Sequence, residues 1–399
     1  MSERYTVISS DCHAGAPIAT YRDFLDPGMR DDFDAWRGDY ANPFRDLQGG
    51  KRARNWDDEM RVSELASDHV VAEVVFPNTV PPFFPTGALV ARPPATRDDY
   101  EKRWAGLKAH NRWLAEVFCG GEFAARRAGI AQVFLNDIDD AIDEAIWAHE
   151  HGLRGGVLLP TVPDDTDILS LYAPEYDKLW QVCAERGIVV NMHSGSGHPN
   201  YGPHPASDIM WLVETSWFAH RPLWQVIMSG VFERNPELKF VMTESGCSWV
   251  PSTLQMLDGF HMQMQFGRVG ELNFADATPL PLKPSEYFAR NVWMGVSFPG
   301  ARDGRAIPKV GVDRVMWGND YPHHEGSYPY SLESMQLAFP DTSDDDLRKI
   351  FSENAAKVYD FDLAALAPLG AETGPTIEQI HQPLEKTPKG ATSPAFYAM

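Results

Sequence analysis

The sequence lacks any run of about 18 consecutive apolar residues, the length that a membrane-spanning helix requires. Its first residues, Met1 to Tyr5, also lack the apolar core of a secretory signal. These two absences argue against a membrane protein and against export. We therefore expect no membrane partner and a cytoplasmic location.

Cysteine is scarce. The 399 residues include four cysteines, Cys12, Cys119, Cys183 and Cys247, and no two of them form a Cys-x-x-Cys pair. A disulfide framework or a zinc ribbon needs more cysteines at closer spacing. The four residues are therefore predicted to be reduced thiols.

Basic residues are also few, with 35 lysines and arginines against 56 acidic residues and a net charge of −21. Such a chain repels the phosphate backbone, so we expect no nucleic-acid partner. Apolar residues make up 43% of the chain, which is ordinary for a globular protein. The length suits either two or three domains or one α/β barrel with insertions.

Eight short apolar segments recur along the chain and alternate with segments of helical spacing. The predicted strands are residues 5–8, 70–76, 129–134, 155–159, 187–192, 238–243, 291–296 and 313–318. Continuous apolar strands are typical of a parallel sheet that is buried on both faces. The pattern predicts an α/β fold, the (β/α)8 TIM barrel, whose active site lies at the carboxyl ends of the strands.

We expect one catalytic domain over residues 1–360 and a tail over residues 361–399. A polar and aromatic insertion, about residues 15–68, follows the first strand. It is too long for a plain connector, so we expect short helices or a lid within it. The tail is expected to wrap the surface or to join an interface, and a homodimer is one option.

Polar residues stand at the ends of several predicted strands. Asp11 and His13 follow the first strand, and residues i and i+2 of an extended chain point to one side. His193 follows the fifth strand, Glu244 the sixth and Asp320 the eighth. Because parallel strands of a barrel end at one rim, these five side chains are predicted to hold a metal.

Three further polar residues, His323, His324 and Glu325, share the strand-eight loop with Asp320. Each is a candidate second-metal ligand, supporting partner or proton donor. Together with Glu244 they are the predicted catalytic residues.

These motifs resemble the amidohydrolase superfamily over roughly residues 5–360, in particular its small-barrel hydrolases and aromatic decarboxylases. The resemblance rests on Asp11-x-His13, on His193, on the run at residues 231–239 and on residues 320–323. Two features depart from that branch. Glu244 stands where the branch often has histidine, and strand four, residues 157–160, has no metal-bridging side chain, which argues against a bridged dizinc hydrolase.

The predicted site is rich in carboxylates. Three of them exceed the charge of one divalent ion, and buried surplus charge is unfavourable. Mixed carboxylate and imidazole ligands suit non-heme iron and oxygen chemistry. Residues 11–17 and 244–249 are also similar to a less common group with this barrel, the non-heme diiron monooxygenases.

That second resemblance implies two iron ions, dioxygen and an external electron donor. It implies hydroxylation of an unactivated carbon in a bulky apolar substrate, with a diterpenoid-like acid or another CoA-linked molecule as options. The basic run at residues 51–54 would then hold phosphates, although a solvated helix face is the simpler interpretation.

The alternative hypothesis is a mononuclear hydrolase or a non-oxidative decarboxylase. In it Asp11, His13, His193 and Asp320 hold one zinc or manganese ion, and Glu244 or His323 acts as base or acid. A third hypothesis is a barrel without chemistry that only binds a partner. Five polar strand ends argue against it.

Overall fold

The computed structural model describes residues 3–43, 48–78, 81–88, 91–274 and 280–397. Eight parallel strands form one sheet, and each strand pairs with the next along the chain. They are β1 (Ile8–Ala14), β2 (Ala72–Pro77), β3 (Arg127–Gln132), β4 (Gly156–Leu158), β5 (Val190–His193), β6 (Phe240–Thr243), β7 (Val292–Ser297) and β8 (Val315–Gly318). The predicted TIM barrel is confirmed.

The barrel closes between β8 and β1. The Asp320 backbone N–H donates to the Asp11 carbonyl over 2.9 Å, and the His13 N–H donates to the Tyr321 carbonyl over 2.7 Å. Close approach requires a glycine at the end of β8, since a Cβ on Gly318 would lie 2.9 Å from the Asp11 Cβ. Closure therefore brings the first and last predicted ligand positions side by side.

The first strand differs most from its prediction. It was expected to end at residue 8, but β1 runs over Ile8–Ala14, so Asp11 and His13 lie within it. The apolar pattern does not reveal the second half of β1, because Ser9 and Ser10 are polar yet fully buried. The register with β2 also shifts between Ser9 and Cys12, and such bulges near active sites redirect side chains.

Helices cover the outside of the barrel. They are α1 (Arg30–Asp39), α2 (Asp58–Ser67), α3 (Arg97–Trp113), α4 (Ile138–Glu150), α5 (Asp177–Arg186), α6 (Ser207–Met228), α7 (Val231–Arg234), α8 (Val250–Gln265), α9 (Pro284–Asn291), α10 (Ala301–Val310), α11 (Ser331–Ala338), α12 (Asp344–Arg348), α13 (Asn354–Tyr359), α14 (Leu363–Thr373) and α15 (Ile377–Ile380). The helical pattern over residues 206–233 is divided into α6 and α7, because Gly230 adopts a left-handed φ of 78°. A hairpin of Arg268–Val269 with Leu272–Asn273 follows α8. Among the described helices, none is long and apolar enough to cross a membrane.

Two apolar clusters form the core. The larger lies between the sheet and its helices, and the smaller takes residues such as Val74, Ile130, Val241 and Met316 from β2, β3, β6 and β8. Tyr359 of α13 joins the smaller cluster, and its hydroxyl donates to the Asn191 side chain over 2.8 Å. Both clusters keep the strands in place, so the rim is built on rigid elements.

The segment after β1 carries α1, α2 and the 3-10 helices Ile18–Phe24, Pro27–Met29 and Gly49–Asn55. Helix α2 is held by Arg61, which is fully buried and pairs with Glu73 of β2 over 2.6 Å. Arg61 also donates to the His13 carbonyl over 2.8 Å. This segment therefore packs directly against the half of β1 that carries Asp11 and His13. The division into a domain and a tail at residue 360 stays a prediction.

Candidate metal centre

Three side chains meet at the carboxyl ends of β1 and β5: Asp11, His13 and His193, here called the inner group. Asp11 Oδ1 lies 3.2 Å from His13 Nε2 and 3.4 Å from His193 Nε2. The two imidazole rings stand edge to face, with centroids 5.1 Å apart. Three ligand atoms thus converge on one point.

Neighbouring groups orient the inner group. The Nδ1 of His13 lies 3.2 Å from the Pro77 carbonyl, so it donates and leaves Nε2 as the acceptor that faces the site. Ser297, the last residue of β7, donates its hydroxyl to Asp11 Oδ2. Oδ1 of Asp11 is then the carboxylate oxygen that faces the two imidazole rings. These contacts set both the ring tautomer and the carboxylate rotation.

A second set of ligand atoms lies beside the first. Glu244, Asp320, His323 and Glu325, here called the outer group, each offer an atom within 4.8 Å of the others. Asp320 Oδ1 is 2.8 Å from His323 Nδ1 and 3.2 Å from His13 Nε2. Asp320 therefore lies between the two groups.

The buried polar atoms of the site fit a bound cation. Asp11 Oδ1, His13 Nε2, His193 Nε2 and both carboxylate oxygens of Asp320 are buried, and within the described part of the chain none makes a well-oriented hydrogen bond. The contacts of 2.8–3.4 Å among these residues and His323 join candidate ligand atoms to one another. Unsatisfied carboxylate oxygens at full burial are unfavourable. A divalent ion bound by nitrogen and oxygen ligands would satisfy all of them.

The pKa shifts at the site also favour a bound cation. Burial opposes ionisation of Asp11, but the adjacent His193 and His13 outweigh it and lower the Asp11 pKa. Burial also opposes a charge on His193, yet Glu244 and Asp11 raise its pKa to about 9. The surplus of carboxylates thus attracts a positive charge, which a proton supplies when a metal is absent.

Glu244 has a different environment. Burial raises its pKa to about 7, although His193 favours the charged form. The Ser194 hydroxyl donates to its Oε2. A carboxyl group with a pKa near neutrality suits proton transfer at physiological pH.

Two acidic residues of the outer group have an unusual backbone conformation. Glu244 has a φ of 56° and Asp320 a φ of 57°, the left-handed region that favours glycine. Such residues cost roughly 1–3 kcal/mol each and cluster at functional sites. Glu244 and Asp320 therefore both have a strained backbone conformation at the candidate site.

Buried hydrogen bonds support the strand-eight loop. The Asn319 side chain accepts from the Ser9 hydroxyl over 2.9 Å and donates to Asp68 over 3.3 Å. Asp68, buried at the end of α2, also accepts from the Ser331 backbone N–H over 3.1 Å. These bonds fix the residue that precedes Asp320.

The structure brings together all five predicted metal ligands, and with them His323 and Glu325. His324 is different, because it is exposed and belongs to none of these groups. It and His323 line a cavity of about 430 Å³ with Lys51, Arg54 and residues of the tail. Arg54 is paired with Glu64 over 2.7 Å, so its charge is largely compensated. The ligand and catalytic roles of these residues remain predictions.

Sequence reasoning missed three supporting residues: Ser297, Asn78 and Ser194. The side-chain oxygen of Asn78 lies 2.9 Å from His323 Nε2. Ser297 and Asn78 come at the ends of the seventh and second strands, so the inspection of strand ends that found Asp11 would have found them too. Ser194 directly follows His193.

Comparison with known proteins identifies the family and gives the same fold. The amidohydrolase family model matches residues 11–361. A solved amidohydrolase from Mycobacterium avium subsp. paratuberculosis is 20% identical, with a TM-score of 0.66 over 90% of this chain and 100% of its own. The 5-carboxyvanillate decarboxylase of Sphingomonas paucimobilis is also 20% identical, with a TM-score of 0.60 over 90% and 100%. A dihydroxybenzoic acid decarboxylase from a Polaromonas species, solved with manganese and 2-nitroresorcinol, is 16% identical, with a TM-score of 0.60 over 89% and 97%.

Fold and site together define a TIM barrel with a carboxylate and imidazole centre at the carboxyl ends of its strands. The chain belongs to the amidohydrolase family.

Proposed function

We propose that the protein is a non-oxidative enzyme, a decarboxylase or hydrolase, that acts on a small molecule with one divalent ion, manganese or zinc. The observation that carries the proposal is the convergence of buried atoms from Asp11, His13, His193 and Asp320 that make no well-oriented hydrogen bond. Strand β4 supports it, since its residues Gly156–Leu158 offer no carboxylate or lysine to bridge a second ion.

Each residue has a distinct part in this proposal. Asp11, His13, His193 and Asp320 hold the ion, which when bound supplies Lewis-acid polarisation of a substrate oxygen. Glu244 exchanges the proton, and the Ser194 hydroxyl keeps its carboxyl group in position.

Decarboxylation is the form that the similar structures favour. In that reaction the bond from the substrate carbon to its carboxylate breaks, carbon dioxide leaves, and Glu244 delivers a proton to the carbon. The Glu244 side chain is 17% exposed, and through this exposed part it regains its proton from solvent. Hydroxybenzoate acids are the first substrates to test, because several neighbours are named for such acids.

The test combines metal analysis with turnover in the absence of oxygen. We expect about one manganese or zinc ion per chain, and carbon dioxide release from a hydroxybenzoate that proceeds equally under argon. Chelation should abolish turnover and added manganese should restore it. Two irons per chain with turnover only in oxygen would contradict the proposal.

A second candidate is the diiron monooxygenase of a bulky, CoA-linked substrate. The outer group favours it, because Glu244, His323 and Glu325 with Asp320 form a second set of ligand atoms. The similar structures support the non-oxidative alternative instead. A Glu325→Gln variant separates the two, since it should leave the metal content unchanged at a mononuclear site and halve it at a dinuclear one.

A further inference from the structure

The cavity of about 430 Å³ that His323 and His324 line has the size of a ligand site. Its walls come mainly from three segments: the 3-10 helix Gly49–Asn55, residues 322–330 of the strand-eight loop, and residues 390–396 of the tail. Sites for small molecules have volumes of roughly 300–1,000 Å³. The cavity can therefore hold a small molecule.

One side chain connects this cavity with the candidate metal centre. His323 lines the cavity, and its Nδ1 lies 2.8 Å from Oδ1 of Asp320. On its other side the ring is held by Asn78, whose side-chain oxygen lies 2.9 Å from Nε2. A molecule in the cavity that touches His323 would thus be separated from Asp320 by one imidazole ring.

The tail is hydrogen-bonded to the strand-eight loop and forms one wall of the cavity. The Thr392 hydroxyl donates to the His324 carbonyl over 2.6 Å, and the Tyr330 hydroxyl donates to a carbonyl of the tail over 3.2 Å. Phe396 of the tail and Tyr328 of the loop add aromatic rings to the lining. An aromatic or apolar molecule can pack against these rings.

The lining is unusually poor in negative charge. The chain has 56 acidic residues among 399, so a random set of sixteen residues would contain about two, yet the sixteen described residues that line the cavity include none. They include two cations, Lys51 and Arg54. Arg54 is paired with Glu64, whereas Lys51 has no ion-pair partner within the described part of the chain. In a protein with a net charge of −21, such a cavity is a local site of attraction for anions.

We propose that this cavity binds a carboxylate of the substrate that is remote from the reacting carbon, and that Lys51 determines this specificity. The proposal rests on the proposed function, because it takes the metal centre beside His323 as the place of reaction. The substrate would then be an aromatic acid with two anionic groups, one that reacts at the metal centre and one that Lys51 binds. A separate carboxylate molecule has the same binding chemistry, and kinetics distinguish the two sources.

Acetylation of lysines by acetic anhydride, read by mass spectrometry, tests binding without turnover. In the metal-loaded protein at constant ionic strength, benzoate should slow the acetylation of Lys51 several-fold, and benzamide, its neutral analogue, should not. Lys309, an exposed lysine of α10 outside the cavity, is the internal control and should react at the same rate throughout. Equal protection of Lys51 by benzoate and benzamide, or no protection by either, would overturn the proposal.

Steady-state kinetics identify the source of the carboxylate. For a hydroxybenzoate with a second carboxylate, Lys51→Gln should raise KM about tenfold, the usual effect of losing a hydrogen bond to a charged group, and should leave kcat unchanged. For the same acid without the second carboxylate, Lys51→Gln and the native protein should have equal KM values. Lys309→Gln is the matched control and should behave like the native protein with both acids.

Two kinetic outcomes would contradict the substrate role of the cavity. One is an equal effect of Lys51→Gln on both acids. The other is inhibition or activation by benzoate that Lys51→Gln removes while both KM values stay unchanged, since the carboxylate would then belong to a separate molecule. Turnover of neither acid by the native protein would contradict the proposed function instead, while protection of Lys51 by benzoate would still support an anion site in the cavity.

Discussion

The two halves of the candidate metal centre differ in how they are held. The inner group lies on strands, and its Asp11 and His13 are 0% and 3% exposed. The outer group lies on loops that follow strands, and it extends from the buried Asp320 to the exposed Glu325. Strands hold side chains more rigidly than loops do, whereas loops give access to solvent and substrate.

This difference separates binding from chemistry. The inner group has oriented rings and a rotationally fixed carboxylate, which a metal site requires before the ion arrives. The outer group includes Glu244, whose pKa burial raises to about 7. We infer that the inner group, together with Asp320, provides affinity and that Glu244 of the outer group provides reactivity. Three variants test that division, and a fourth tests the support of the strand-eight loop.

The largest effect is expected from His13→Ala. This change removes the ligand that lies between Asp11 and Asp320, so metal and activity should both fall to background. Metal analysis and turnover measure the effect, and circular dichroism confirms folding. His149→Ala, which alters an exposed histidine of α4, is the control and should behave like the native protein. Full metal content in His13→Ala would refute the role of the inner group.

Glu244→Gln should lower kcat by about 10²–10⁴-fold, the usual contribution of a general acid or base. Because Asp11, His13, His193 and Asp320 hold the ion in this proposal, metal content should not change. Steady-state kinetics and metal analysis on the same sample measure both quantities. Loss of metal together with activity would make Glu244 a ligand and would remove the proposed division.

Ser297→Ala should weaken metal binding by about 10–100-fold, as the loss of a supporting partner does. The Asp11 carboxylate would lose the hydroxyl that fixes its rotation. Titration with manganese measures the affinity, and kcat at saturating metal should be close to normal. Ser334→Ala, another fully buried serine, is the control. An unchanged affinity would mean that the inner group does not depend on this bond.

The smallest effect concerns the support of the strand-eight loop. Burial raises the pKa of Asp68 to about 7, so the folded protein holds a proton that the unfolded chain releases near pH 4. The contribution of Asp68 to stability is therefore greatest below about pH 4 and is lost as the pH rises to about 7.

Urea unfolding of native protein and Asp68→Asn at several pH values measures this contribution. The free energy of unfolding of the native protein, relative to the variant, should decline between pH 4 and pH 7. A difference between the two proteins that does not vary with pH would show that Asp68 titrates normally.

Much of this arrangement is local in origin and could be predicted from the sequence. Eight short apolar segments that alternate with helical segments imply a barrel, and a polar residue after such a segment marks the carboxyl end of a strand. Asp11, His13, His193, Glu244 and Asp320 were found in this way. Their neighbours Ser297 and Asn78 follow the same pattern, but serine and asparagine are common at strand ends and attract less notice.

The sequence by itself determined the number of strands, their order and the chemical types at their ends, because these depend on short-range patterns of polarity. Only the tertiary structure decided that β1 extends through Asp11 and His13, that β8 closes on β1 beside Gly318, and that Asp320 lies between two groups of ligands. It also decided that the tail lies against the strand-eight loop and lines a cavity with His323. Each of these depends on contacts between segments that are far apart in the chain, and no local pattern encodes those contacts.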